Sequence, residues 1–193
     1  VKAIEDVCAA VGPLAHVDVV ERLASLVDKS LVRRSADGRE QRLTMLDTIR
    51  EFAAERLDEE PDLAAGARRA HAEFYVALAE RRTSDLRGAG RRSALEELGA
   101  DLGNMQIAWH ELVSRNEMSD VRRLFDPLWT VLEARGWYRE VVGLTNALLD
   151  LLGRVPPDPA HAEKEVALRM SVGRGLLALK GYTTEVEQVY RQA

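Results

Sequence analysis

Arginine supplies most of the chemistry that this sequence could offer. One run places Arg33, Arg34, Arg39 and Arg42 within ten residues, and a second places Arg81, Arg82, Arg87, Arg91 and Arg92 within twelve, diluted by one acid, Asp85. Guanidinium groups at this density could grip phosphates or the carboxylates of a partner. The bland alternative for each run is a solvated surface. Around the first run, residues 1–60 hold nine Lys or Arg against thirteen Asp or Glu, a net charge of −4. Nucleic-acid affinity follows phosphate neutralisation closely, so DNA is an alternative here and not the main expectation. A charged hairpin that discourages edge-to-edge pairing explains the same arginines.

Covalent and metal chemistry find no anchor. His16, His71, His110 and His161 are scattered, none of them four residues from another, and Cys8 is the only cysteine. Metal ligation needs tighter spacing than that. Ser, His and Asp are present without a nucleophile-elbow pattern. No G-x-x-x-x-G-K-[ST] occurs, so these residues are not expected to bind or hydrolyse ATP alone. Glu59-Glu60 and Glu96-Glu97 have plain readings as a linker and a helix start. Trp109, Trp129, Trp137, Tyr138 and Tyr182 could line a recognition groove, although aromatics at helical spacing more often pack in a core. Trp137 beside Tyr138 is the exception, because adjacent helical residues rarely both face inward. No catalytic, cofactor-binding or metal-binding residues are therefore expected, and no enzyme.

The elements that must position these residues are mostly helices. Hydrophobic content is 46% and aromatic content 5%, an ordinary core rich in helix-forming Ala and Leu. The spacing predicts helices over Ile4–Val11, closed by Gly12-Pro13, and over Asp18–Lys29, opened by the D-x-x-E of Asp18 and Glu21. Val17, Val20, Leu23, Ala24 and Val27 would form a buried stripe. Leu31–Ser35 and Gln41–Met45 read as short strands joined at Asp37-Gly38, a hairpin turn signal. Leu46–Leu57 is again helical, with Leu46, Ile49, Ala53 and Leu57 on one face.

Beyond Glu59-Glu60-Pro61-Asp62 no strand signal appears. Helices are expected over Leu63–Arg82, from Ser93 toward Ser114 with a break near Gly99 or Gly103, and over Ser119–Arg135, where Pro127 would kink the chain. Thr83–Arg92 reads as a loop, and Ser93 with Glu96 as a capping box. Gly136-Trp137-Tyr138 and Gly181-Tyr182 each open a helix, 45 residues apart. The preceding helices repeat at the same interval, Phe125, Leu128 and Leu132 against Met170, Gly173 and Leu177. Pro156-Pro157-Asp158-Pro159 would be the longer loop between repeats. This points to helix pairs stacked on helix pairs, TPR-like but with a longer period than a tetratricopeptide repeat.

Two blocks carry a resemblance. Leu26-Val27-Asp28-Lys29-Ser30-Leu31-Val32 and Leu43-Thr44-Met45-Leu46-Asp47-Thr48-Ile49-Arg50-Glu51-Phe52-Ala53 resemble the winged-helix end of the NB-ARC/STAND signalling ATPases, in the form found in large bacterial regulators such as AfsR-like and LuxR-like proteins and multidomain cyclases. His71-Ala72-Glu73-Phe74-Tyr75 and Asp101-Leu102-Gly103-Asn104-Met105-Gln106-Ile107-Ala108-Trp109 look like the first helices of the array that follows it there. The resemblance implies a mechanism in which ATP or ADP sits between an upstream core and the winged helix, while the array senses a protein or small ligand. In relatives a Met-His-Asp motif starts the helix after the wing, and its His senses ADP. Here the position reads Met45-Leu46-Asp47; leucine has no donor for a phosphate, and Leu46 is expected to pack in the core.

Together these readings give a mainly α chain, with a winged helix and two-stranded hairpin at 1–60 and a TPR-like α-α superhelical array at 61–193. The expected role is a non-enzymatic regulatory and sensor fragment of a bacterial signal-transduction ATPase or transcriptional regulator. It holds no cofactor of its own, with ATP or ADP in the full-length parent. Its expected partners are the upstream ATPase domain in cis and a protein or small ligand on the array. Alternatives are a DNA-binding winged helix with a helical effector or dimerisation domain, and a TPR-type interaction scaffold. The candidate residues are Met45, Leu46 and Asp47 as the nucleotide-sensor equivalent; Arg33, Arg34, Arg39 and Arg42 for DNA or partner contact; and Arg81, Arg82, Arg87, Arg91, Arg92, Trp137 and Tyr138 as a partner-binding patch. The lone cysteine fits a reducing, cytoplasmic setting, and no apolar run suits a bilayer. A first residue other than Met and an end inside an apparent helix read as a piece of a longer protein.

Overall fold

Asp18 sets the first long helix of the chain. Its Oδ1 accepts the Glu21 backbone N–H at 3.0 Å, which satisfies one of the donors that a helix start leaves open. In this computed structural model the described backbone covers residues 1–35, 42–154 and 159–192, and the described side chains are the same set without 159–164. The expected turn at Asp37-Gly38, Arg39, and Pro156-Pro157-Asp158 lie outside the described residues. What is described is mainly helical, with one small antiparallel hairpin. Among the described residues no helix is long and apolar enough to cross a membrane.

The chain divides into two compact units, Val1–Phe74 and Tyr75–Ala193. In the first, α1 (Lys2–Ala9) leads through a 3-10 turn at Gly12–Leu14 to α2 (Val19–Asp28). Strands β1 (Val32–Ser35) and β2 (Arg42–Met45) pair antiparallel, with Val32 opposite Met45 and Ser35 opposite Arg42. Helix α3 (Asp47–Asp58) follows directly. Helix α4 (Pro61–Leu86) begins on the proline that was read as a boundary, a residue suited to a first helical position. The sequence-based boundary at 60/61 is thus the junction of α3 and α4, whereas the division between compact units falls inside α4.

The buried stripe expected along α2 is not formed. Val17 and Val20 are exposed, Leu23, Ala24 and Val27 are half-buried, and none of α1, α2 or α3 contains a fully buried residue. Amphipathic spacing here gives helices whose apolar sides are only partly covered.

The second unit has a proper core. Helices α5 (Arg91–Ala100), α6 (Leu102–Ser114), α7 (Met118–Ala134), α8 (Tyr138–Leu152), α9 (Pro159–Lys180) and α10 (Thr184–Gln192) follow the end of α4. From α6 onward each helix packs on the next, and α6 also touches α8, while α5 touches α7. Leu98, Met105, Trp109, Leu124, Leu128 and Val141 are among the fully buried side chains. Trp109 stands 6.0 Å from Phe125, ring centre to ring centre, a core contact and not a groove wall. Pro127 is buried inside α7, which runs through it as one helix.

Two local expectations need correction. The loop over Thr83–Arg92 shrinks to a turn at 87–90, because α4 continues to Leu86; Thr83 Oγ1 bonds back to the Ala79 carbonyl at 3.1 Å. Ser93 caps nothing, since Gly90 is the N-cap of α5 and makes no side-chain cap. The break expected near Gly99 or Gly103 falls between them, at Asp101.

Helix ends explain the glycine repeat. Gly136 and Gly181 both have φ of +71°, the left-handed geometry that closes a helix and that only glycine adopts freely. Gly136 N–H bonds to Glu133 O at 2.9 Å, and Gly181 N–H to Leu177 O at 2.9 Å. Ser30 and Asn116 take the same role after α2 and α6, with φ of 57° and 56°.

Candidate functional site

The Met45-Leu46-Asp47 motif straddles a strand and a helix. Met45 ends β2 opposite Val32. Leu46 is the N-cap of α3, extended at φ −62° and ψ 145°, without a side-chain cap. Asp47 opens α3 and pairs with Arg50 at 2.9 Å. The expectation that Leu46 packs in the core is overturned: it is 48% exposed, and Phe52 on the same helix is 58% exposed. Leu46 offers no side-chain donor for a phosphate.

The described hairpin arginines do not all share one face. Cross-strand partners lie on one face of a ladder and neighbours in sequence on opposite faces. Arg33 and Arg42 therefore stand on one side with Ser35 and Thr44, and Arg34 on the other with Val32, Leu43 and Met45. Arg39 is outside the described residues.

The second arginine run is dispersed by its helices. Arg82 bonds Asp85 at 3.0 Å and also Glu97 of α5, and these carboxylates push its guanidinium pKa upward. Arg87 reaches Asp126 at 3.5 Å. Arg81 is exposed on α4. Arg123, on α7, bonds Asp120 at 2.7 Å and also Glu80. Its hydrogen bond holds the Glu80 carboxyl below the usual carboxylate range.

Arg91 and Arg92 are brought to a cleft of about 540 Å³, where they, Leu95 and Glu96 of α5 face Val131, Ala134 and Arg135 at the end of α7. Arg135 was not picked out by the sequence, since it belongs to no arginine run. Its Cζ lies 5.8 Å from the centre of the Trp137 ring, within cation–π range. Its guanidinium also lies against Gly99, where an added Cβ would stand 2.6 Å from Nη2. Trp137 is thus tied to the cleft through Arg135 and remains 43% exposed. Tyr138 separates from it, half-buried at the start of α8, with its carbonyl beside Gly175 of α9. The only local signal for Arg135 was its place just before Gly136-Trp137.

Elsewhere, Trp129 lies 5.4 Å beneath Arg174, and its buried Nε1 finds no acceptor among the described residues. Cys8 is half-buried on α1, and that burial pushes its thiol pKa up, away from the thiolate that reacts. Among the described residues no three His, Cys, Asp or Glu side chains gather closely enough to hold a metal. No protein-family model, curated protein or solved structure matches the chain.

Proposed function

We propose that this chain is a non-enzymatic coupling and sensing fragment of a bacterial STAND-type regulator. In this reading the first unit is a winged helix that docks an upstream nucleotide-binding core. The second is a TPR-like superhelical array that receives a protein or small ligand.

One observation carries the reading. Helices α1, α2 and α3 bury no residue completely, while Val17, Val20, Leu46 and Phe52 stand exposed. Leu46 is the clearest of these. A helix N-cap favours Ser, Thr, Asp or Asn, yet the position holds an apolar side chain that neither caps α3 nor enters a core. A residue poor for local stability is explained when another surface covers it. Coupling would then pass through apolar contact at the start of α3, and not through a phosphate contact made by this motif.

Leu46→Ser separates the two roles. In this chain alone it gains a cap, worth about 1 kcal/mol, and the melting temperature rises. In the full-length protein it weakens docking and changes the rate of ADP release. If Leu46→Ser lowers the stability of the chain alone, the side chain is structural and the reading is wrong. A full-length protein without a P-loop, or with an unchanged ADP release rate, overturns it equally.

A further inference from the structure

We propose that the cleft between the start of α5 and the end of α7 holds an acidic peptide segment bearing an apolar anchor residue. The proposal rests on the reading of the helical unit as the partner-binding half.

The cleft combines two kinds of surface. Its apolar lining is Leu95, Val131 and Ala134, and its charged lining is Arg91, Arg92 and Arg135, with Glu96 as the one carboxylate. Arg82, Arg87 and Arg123 nearby are each paired with a carboxylate. Among the described residues the three cleft arginines have no such partner; Arg91 makes only a 3.4 Å bond to the Leu86 carbonyl. Arg91, Arg92 and Arg135 thus stand together at one apolar opening without a carboxylate ion pair among the described residues. Arg91 and Arg92 also occupy the first turn of α5, which contains no acid. The helix dipole is positive there, so their charges add to it instead of cancelling it.

Arg135 is the positioned member of the set. Gly99 lets its guanidinium lie against the α5 backbone, and Trp137 lies within cation–π range. Inside a helix glycine costs about 1 kcal/mol relative to alanine, and seating this guanidinium accounts for that residue. A donor fork biased toward the cleft by these contacts loses less freedom when it meets a carboxylate.

Charge complementarity selects an anionic occupant, and the apolar lining selects one with an apolar side chain. A small inorganic anion would use the arginines and leave Leu95 and Ala134 wet. The cleft, about 540 Å³ and open to solvent, suits a side chain of an extended segment lying across it.

The test is fluorescence anisotropy with the intact chain and a labelled pool of peptides, each with one central Leu, Phe or Trp between runs of Asp and Glu. Binding is expected at low salt and should weaken as salt rises. Arg92→Gln with Arg135→Gln should reduce affinity about tenfold or more, as for truncated interfacial charges. Arg122→Gln, an exposed position on α7 outside the cleft lining, should leave it unchanged. Gly99→Ala removes no charge but displaces Arg135, so affinity should fall while the melting temperature holds or rises. Four results would each overturn the proposal: no binding by any peptide in the pool; equal binding of a pool with glycine at the central position; tighter binding of a single-stranded oligonucleotide; or full affinity in the double Arg variant. Such a failure is distinct from failure of the coupling role, which is read from ADP release in Leu46→Ser.

Discussion

Replacing Gly175 by alanine should destabilise the helical unit, although alanine is the better helix former. An added Cβ at this buried position of α9 would stand 2.8 Å from Val142 Cγ2 and 3.6 Å from the Tyr138 carbonyl oxygen. Carbon atoms prefer about 3.5–4.0 Å, so the methyl intrudes by most of an ångström. Val142 is β-branched and nearly locked in one rotamer in a helix, so relief requires α8 and α9 to separate. Overpacking of this kind costs about 1–3 kcal/mol. Alanine recovers about 1 kcal/mol of helix propensity, leaving a net loss of roughly 1 kcal/mol and a melting temperature lower by roughly 2–8 °C for units of this size. Circular dichroism during thermal and urea unfolding measures it. Combining it with Val142→Ala should recover much of the clash, giving a coupling of roughly 1 kcal/mol in a double-mutant cycle. Gly99→Ala is the internal contrast: the obstructing atoms there are the far end of the Arg135 side chain, which can swing away. If Gly175→Ala stabilises the protein, or the cycle shows no coupling, the close approach of α8 and α9 at this point is refuted.

Two further outcomes follow from helix ends and ion pairs. Ser30 holds φ at 57°, where a non-glycine residue carries about 1 kcal/mol or more of strain, so Ser30→Gly should raise the melting temperature; a fall would mean that the hydroxyl makes a contact which outweighs the strain. The Glu80 carboxyl, held low by its hydrogen bond from Arg123, should titrate below an ordinary glutamate in NMR and return to the ordinary range in Arg123→Gln. Because its folded value is the lower one, its contribution is present above the unfolded carboxylate value and is lost as pH falls through the folded value. A wild-type titration at the ordinary glutamate value would remove the pairing.

The helices were legible because apolar residues recur at the spacing of one face, and α7 and α8 lie where that spacing put them. The hairpin was legible from its short strands, which pair in the described residues. Burial was less legible. The pattern in α2 and α3 records which side is apolar, not whether anything covers it, so Val20 and Leu46 were read as core and are exposed. Turn chemistry misled at 83–92, where glycines and Thr83 suggested a loop and the threonine hydroxyl instead bonds within α4. The cleft was half legible. Arg91 and Arg92 stood in a run, whereas Arg135 joins them only through the packing of α5 on α7, helices separated in sequence by all of α6. The run itself held no sign that Arg82 and Arg87 would be taken up by Glu97 and Asp126.

The succession of α6, α7, α8, α9 and α10, each packed on its neighbour in sequence, has a consequence for how this unit reaches its structure. Most of the packing joins segments close along the chain, so little loop entropy is lost before a contact forms. Chains dominated by such local contacts cross their folding barriers quickly. Left-handed residues at Asn116, Gly136 and Gly181 set where a helix stops before its neighbour has arrived. Assembly can therefore begin at whichever helix pair forms first and extend in either direction.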